Sequence, residues 1–156
     1  MRLPMPSPDD AIKPLEQSLI HNLGYAGLIP LVGLALLVWL VTPDLQAWVA
    51  LALAAYAALI ASFLGGIHWG IGWSRLAQAP DSKNHFVWGV VPSLLAWPGL
   101  VMPPYAGLAW LGLVLIVCYL VDRRLYVQAG LGGWLKLRFR LSAIAALSCF
   151  IGAGAL

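Results

Sequence analysis

Long apolar runs separated by short polar segments dominate the chain from residue 23 onward. A helix that crosses the hydrocarbon of a bilayer needs roughly 20 mostly apolar residues. Five runs are close to this length or exceed it, and they cover residues 23–41, 47–73, 86–102, 105–121 and 135–156. Proline, glycine and charged residues, which are typical of helix ends, separate the runs. The pattern therefore predicts an all-α integral membrane bundle of five transmembrane helices.

Composition supports a membrane protein rather than a soluble one. Apolar residues make up 62% of the 156 residues and charged residues 10%, whereas soluble domains average roughly 45–50% and about 25%. A soluble chain of this length could not bury so much apolar surface, so we expect the lipid bilayer to be its first partner. Cys118 and Cys149 lie within apolar runs and are interpreted as small buried side chains. The basic residues form no separate domain, which argues against nucleic-acid binding.

The first 21 residues differ from the rest, because they contain four prolines and three acidic residues and lack a long apolar run. We expect residues 1–21 to be an N-terminal cytoplasmic arm and residues 22–156 to be the five-helix transmembrane domain. A secretory signal would show a basic start followed by a short apolar run. The first apolar run here is long enough for a full span, so we expect no cleavage.

The charges predict an orientation. All nine basic residues lie before the first predicted helix, between the second and third, or between the fourth and fifth. The opposite loops contain Asp44 as their only charged side chain. Since positively charged loops stay in the cytoplasm, we expect the N-terminus inside and the C-terminus outside. An alternative with four spans leaves the last segment on the membrane surface, but that segment has no polar face after residue 141.

Small residues cluster in the second predicted helix, in the segment SFLGGIHWGIGW at residues 62–73. Ser62, Gly66 and Gly70 are spaced by four and share one face, while Gly65 and Gly72 lie on roughly the opposite face. Small residues let helix backbones approach closely, which is a main source of packing energy when lipid is the solvent. We therefore interpret these five as helix-packing residues in a helix that lies between neighbours.

His68 and Asp122 are the ionisable residues that we expect inside or at the edge of the membrane. An unpaired polar group in lipid costs several kcal/mol, so each needs a partner. Intramembrane ionisable residues are candidates for function, and one interpretation is a polar pocket of His68, Asp122 and Arg75 that opens to the cytoplasm. The alternative is a structural histidine and an ordinary ion pair at the membrane boundary, in which Arg123 or Arg138 also qualifies as the partner of Asp122.

No motif for catalysis, a metal or a cofactor is recognisable. The sequence has no phosphate loop, no paired catalytic carboxylates and no cysteine–histidine pair. His21, His68 and His85 have similar predicted depths, but carboxylates and ligand spacing that would support a metal site are lacking. We expect no catalytic residues, no metal and no cofactor.

Four segments carry a resemblance to a known family: LGYAGLIPLVGLALL (23–37), ASFLGGIHWG (61–70), VPSLLAW (91–97) and GWLKLRFRLSAIAALS (133–148). They resemble the DUF3429 family of unknown function, which includes transmembrane protein 69 of mitochondria. The resemblance implies a small multi-pass protein of the bacterial cytoplasmic (inner) membrane, or of the mitochondrial inner membrane in a eukaryote. It implies no established activity. It draws attention to the FLGGIHWG block, and Trp69 in that block joins the candidates for the polar pocket.

Three functions remain open from the sequence. The first is a non-enzymatic accessory or assembly factor that binds a larger membrane complex or a second copy of itself. The second is a small proton-linked carrier that uses His68 and Asp122. The third is a membrane enzyme or binding protein for a quinone-like or lipid ligand.

Overall fold

A computed structural model describes the backbone of residues 8–76 and 82–156, with side chains from residues 15 and 83 onward in the two ranges. Within these ranges every regular element is helical, which confirms the all-α prediction. The six α-helices are α1 (Pro8–Ala26), α2 (Ile29–Leu40), α3 (Pro43–Arg75), α4 (Ser82–Val101), α5 (Pro104–Gln128) and α6 (Leu135–Ala153). A short 3-10 turn, Gly132–Trp134, precedes α6.

Helices α1 and α2 form one membrane-length segment with a short break. The break falls at Gly27 and Leu28, whose amides still bond to the carbonyls of Leu23 and Tyr25 at 3.0 Å. The hydroxyl of Tyr56 on α3 donates to the carbonyl of Gly27 at 3.0 Å and holds the break against the bundle. Because α1 begins at Pro8, the helix runs across the boundary expected at residue 21, and that boundary stays a prediction. Residues 1–7 of the expected arm lie outside the described residues.

Three segments are long and apolar enough to cross a membrane: Leu15–Leu40, Pro43–Arg75 and Pro104–Gln128. The 33 residues of α3 make it about 50 Å long, which exceeds a hydrocarbon core of about 30 Å. Helices α4 and α6 do not meet the same criterion, and α6 has three basic residues among its first six. They nevertheless pack in the bundle, α4 against α3 and α5, and α6 against α2, α3 and α5.

The five helical segments meet in a core of leucine, alanine and small residues. Leu31, Leu53, Leu108 and Leu111 have no exposed surface. Helix α3 is central, because it packs against α2, α4, α5 and α6. This position makes α3 the element that connects the features described below.

One face of α3 packs tightly on α4. A Cβ atom at Gly65 would collide with the carbonyl oxygen of Gly89, so the two backbones are in direct contact. About two turns further along, a Cβ at Gly72 would lie 3.1 Å from the ring of Phe86. These two glycines therefore allow the close approach of α3 and α4.

The opposite face of α3 points away from the bundle. Gly66 and Gly70 are exposed, and a Cβ added at either would meet no atom of the described chain within 4 Å. Ser62 is half-buried, and its hydroxyl donates to the carbonyl of Ala58 at 3.0 Å, which satisfies it within the helix. We call Ser62, Gly66 and Gly70 the small-residue face.

Candidate functional site

Four helices contribute side chains to one buried group, which we call the polar cluster. Its members are His68 (α3), His85 and Trp88 (α4), Asp122 (α5), and Arg138 and Ser142 (α6). His68 and Asp122 have no exposed surface, and His85, Arg138 and Ser142 are also buried. Asp122 lies six residues before the last residue of α5, which places it about 9 Å inside that end of the helix.

The carboxylate of Asp122 is the centre of the polar cluster. Its Oδ1 accepts hydrogen bonds from His68 Nε2 at 2.8 Å and Trp88 Nε1 at 3.1 Å. Its Oδ2 accepts from Arg138 Nε at 3.0 Å and Nη2 at 2.7 Å. The guanidinium therefore compensates the carboxylate charge, which a buried carboxylate requires.

A chain of hydrogen bonds extends from Asp122 toward α4. Because His68 Nε2 donates to the carboxylate, a neutral His68 has Nδ1 free to accept. His85 Nδ1 lies 3.0 Å from that atom, and the two rings stack with centroids 5.3 Å apart. With His68 neutral, the hydrogen between the rings belongs to His85. The arrangement is a continuous path His85–His68–Asp122 across three helices.

Arg138 joins α6 to the polar cluster. Its Nη1 donates to Ser142 Oγ at 2.6 Å, one turn further along α6. Every buried side-chain nitrogen or oxygen in the described part of the chain has a hydrogen-bond partner. The cluster is thus a satisfied network that joins α3, α4, α5 and α6, and breaking it would leave buried charge without a partner.

The structure brings together some of the residues considered from the sequence and separates others. His68 and Asp122 are in direct contact. Arg75 lies apart, since its Nη1 donates to the backbone carbonyl of Gln128 at 3.1 Å near the helix ends. Trp69 also lies apart: it is 43% exposed, meets the ring of Phe86 edge-on, and packs over Gly89.

Sequence reasoning missed three members of the polar cluster and left one undecided. Arg138, not Arg75, holds Asp122, although it was one of three basic candidates. Trp88 donates to Asp122, whereas Trp69 was the tryptophan considered. His85 was expected near the inner interface at a depth similar to that of His68, just before the third predicted span at residue 86; α4 begins at Ser82, so His85 lies one turn inside the helix and is buried. Ser142 carried no sequence signal beyond its spacing of four from Arg138.

An apolar cavity of about 570 Å³ lies beside the polar cluster, between the α1–α2 segment and helices α3, α5 and α6. Most of its walls are apolar, and Tyr126, Arg138 and Ser142 are its polar lining residues. Its lining on α6 runs from Leu137 to Ala145, which is eight residues or about 12 Å of that helix, and Trp134 of the preceding 3-10 turn also lines it. A smaller cavity of about 220 Å³, lined by Gln17, His21, Gly133, Trp134 and Leu137, shares two walls with it.

Metal binding has no support in the described part of the chain. No group of three or more His, Cys, Asp or Glu side chains there is arranged to hold an ion. Cys118 and Cys149 are buried and free. The two stacked histidines are hydrogen-bonded to each other, and His68 is also hydrogen-bonded to Asp122.

An all-helical bundle with three helices suited to cross a bilayer, and with an ion pair enclosed inside it, defines an integral membrane protein. The chain belongs to a family described as "protein of unknown function (DUF3429)", whose family model matches residues 17–154. This confirms the family resemblance seen in the sequence. No curated protein and no solved structure matches the chain.

Proposed function

We propose that the protein is a non-enzymatic accessory or assembly factor of a larger membrane complex, and that the small-residue face of α3 binds a helix of the partner. The single observation that carries this proposal is the exposure of that face. Gly66 and Gly70 point out of the bundle with open space around them, although α3 contacts four other helices of the chain. The small-residue face therefore serves no packing purpose within the described chain.

The energetics favour a covered face. Glycine in a helix interior costs about 1 kcal/mol relative to alanine, so two exposed glycines need a compensating contact. In lipid that contact is a second helix, because small residues at a spacing of four allow close backbone packing. From Ser62 to Gly70 the stripe is eight residues or about 12 Å long, which matches a helix crossing. Phe63 and Trp73, each 64% exposed, flank it and add apolar contact area.

The polar cluster supports this function indirectly. It joins the four helices α3 to α6, so it stabilises the bundle that presents the small-residue face. A proton-linked carrier has weaker support. Both oxygens of Asp122 are occupied, and His68 is fully buried and lines neither of the two cavities described above.

We further propose that all five segments cross the membrane, with the N-terminus in the cytoplasm or matrix and the C-terminus outside. The membrane is the bacterial cytoplasmic membrane, or the mitochondrial inner membrane in a eukaryote. Support comes from the nine basic residues, which all belong to one end of the bundle in this arrangement. Reporters fused before Met1 and after Leu156 are expected on opposite sides of the membrane. Detection of both on one side would contradict five crossings.

The complex itself is tested by native mass spectrometry of the tagged chain, released from its own membranes in mild detergent. Gly66→Leu and Gly70→Leu fill the small-residue face. Gly33→Leu is the matched control, because Gly33 on α2 is also exposed and also has open space around an added Cβ. We expect wild type and the control in a larger particle and the two α3 variants as free chains. The particle mass separates a homodimer from a complex with another protein.

Two results would overturn the proposal. The first is a wild-type chain that is monomeric both in mild detergent and in native lipid discs. The second is a particle that survives Gly66→Leu and Gly70→Leu as well as it survives Gly33→Leu.

A further inference from the structure

The polar lining residues of the apolar cavity lie toward its α5–α6 connection, and the rest of the lining is apolar, which suits an amphiphile. Tyr126 and Arg138 lie in the half of the cavity nearer that connection. Leu115 lies 11 residues before Tyr126 on α5, and Ala145 lies seven residues after Arg138 on α6, so the apolar end is about 10–16 Å away. The volume of about 570 Å³ is within the range of ligand pockets, roughly 300–1,000 Å³.

The rim of the cavity faces the lipid side of the bundle. Leu23 on α1 and Phe63 on α3 line it and are 63% and 64% exposed. An apolar molecule dissolved in the bilayer can therefore enter sideways without crossing water. The bilayer supplies the occupant, and the occupant must itself be soluble in lipid.

The polar end offers hydrogen-bond donors without net charge. The charge of Arg138 is compensated by Asp122, at 2.7 Å. Ser142 Oγ accepts from Arg138 and can in turn donate its own hydrogen, as can the hydroxyl of Tyr126. A phosphate would need a cation that is not already paired, so a charged lipid headgroup fits badly. A neutral carbonyl oxygen fits well.

Aromatic rings bound the same end. Trp134 and Tyr126 both line the cavity there, and Tyr126 is backed by the ring of His68 at 5.1 Å. Flat aromatic walls suit a planar ring better than the branched glycerol of a diacyl lipid. The head that combines a planar ring with neutral carbonyls is a quinone.

We infer that the apolar cavity binds an isoprenoid quinone, with a ring carbonyl hydrogen-bonded by Ser142 or Tyr126 and the tail directed toward Leu115 and Ala145. The assignment concerns binding alone. It does not depend on the proposed partner complex, because Ser62, Gly66 and Gly70 do not line the cavity.

The test uses the full chain purified in native lipid discs and titrated with decylubiquinone and a short-chain menaquinone. Bound quinone is measured by extraction and mass spectrometry, together with endogenous lipids. Ile60→Trp fills the apolar end of the cavity, and Leu59→Trp is the control on the adjacent, 66% exposed position of the same helix. Ser142→Ala and Tyr126→Phe remove one hydroxyl each. Ser148→Ala is their control, since its hydroxyl bonds to the carbonyl of Ile144 on its own helix.

We expect saturable binding near one quinone per chain, lost in Ile60→Trp and retained in Leu59→Trp. The loss of one hydrogen bond predicts that the affinity for quinone falls by a factor of roughly ten or less in Ser142→Ala or Tyr126→Phe. The affinity of Ser148→Ala should not change. No saturable binding of either quinone to the wild-type chain overturns the inference, whatever the variants do. The inference is also overturned if Ile60→Trp loses a bound ester lipid that the wild-type chain carries, and not quinone. That result would assign the cavity to a lipid.

Discussion

Replacing Asp122 by Asn tests whether the polar cluster stabilises the bundle. Asp122 accepts hydrogen bonds on both oxygens, from His68 and Trp88 on one and from Arg138 on the other. An asparagine of the same shape has one oxygen and one NH₂ group. Whichever way the amide turns, its NH₂ group meets a donor. The substitution also leaves the buried guanidinium without a counter-charge.

The expected magnitude follows from two competing estimates. Breaking a buried ion pair in a protein interior costs about 3–5 kcal/mol. Hydrogen bonds within membrane proteins average only about 0.6 kcal/mol, because the unfolded chain in lipid also finds partners. Asp122 accepts four hydrogen bonds and carries the charge that offsets Arg138, so the estimate for a buried ion pair should apply. We expect a loss of about 3 kcal/mol in the free energy of unfolding.

The double variant Asp122→Asn/Arg138→Met provides the sharper comparison. It removes both charges, so its loss should be about 2 kcal/mol smaller than the sum of the two single losses. The assay is reversible unfolding by sodium dodecyl sulfate in mixed micelles, followed by circular dichroism. Asp44→Asn is the control, because Asp44 is exposed at the start of α3. Additive losses, or an Asp122→Asn variant as stable as Asp44→Asn, would refute a stabilising ion pair.

Two further predictions concern packing. Gly65→Ala should lower the free energy of unfolding in the same assay by about 1–3 kcal/mol, because its Cβ collides with the carbonyl of Gly89. Gly66→Ala should cause no loss of stability in the monomer. Equal losses in the two variants would mean that the α3–α4 contact is wrong. Cys118 and Cys149 have no exposed surface, so N-ethylmaleimide should label neither in the folded chain and both after denaturation, and rapid labelling of the folded chain would contradict their burial.

Hydropathy alone was sufficient for the five helical segments, because the breaks between them fall in the polar or proline-containing stretches that separate the apolar runs. It located helix ends less well. Helix α1 begins at Pro8 and α4 at Ser82, both earlier than the apolar runs at 23 and 86. Hydropathy reports the part of a helix that lies in hydrocarbon, whereas the backbone continues as a helix into polar sequence. His85, one residue before the third apolar run, lies inside α4 for this reason.

The choice between Arg75 and Arg138 shows which information the sequence lacked and which it contained. Both belong to the basic end of the chain, and hydropathy cannot give the rotation of a helix about its axis. The periodicity of α6 does give it. Ser142, Ala145 and Cys149 follow Arg138 at spacings of four, seven and eleven, which places all four on one face, and all four are buried. Lys136 and Arg140 fall off that face and are exposed. A basic residue that shares a helical face with small residues is therefore the one that enters the bundle, and Arg138 could have been selected as the partner of Asp122 on that ground.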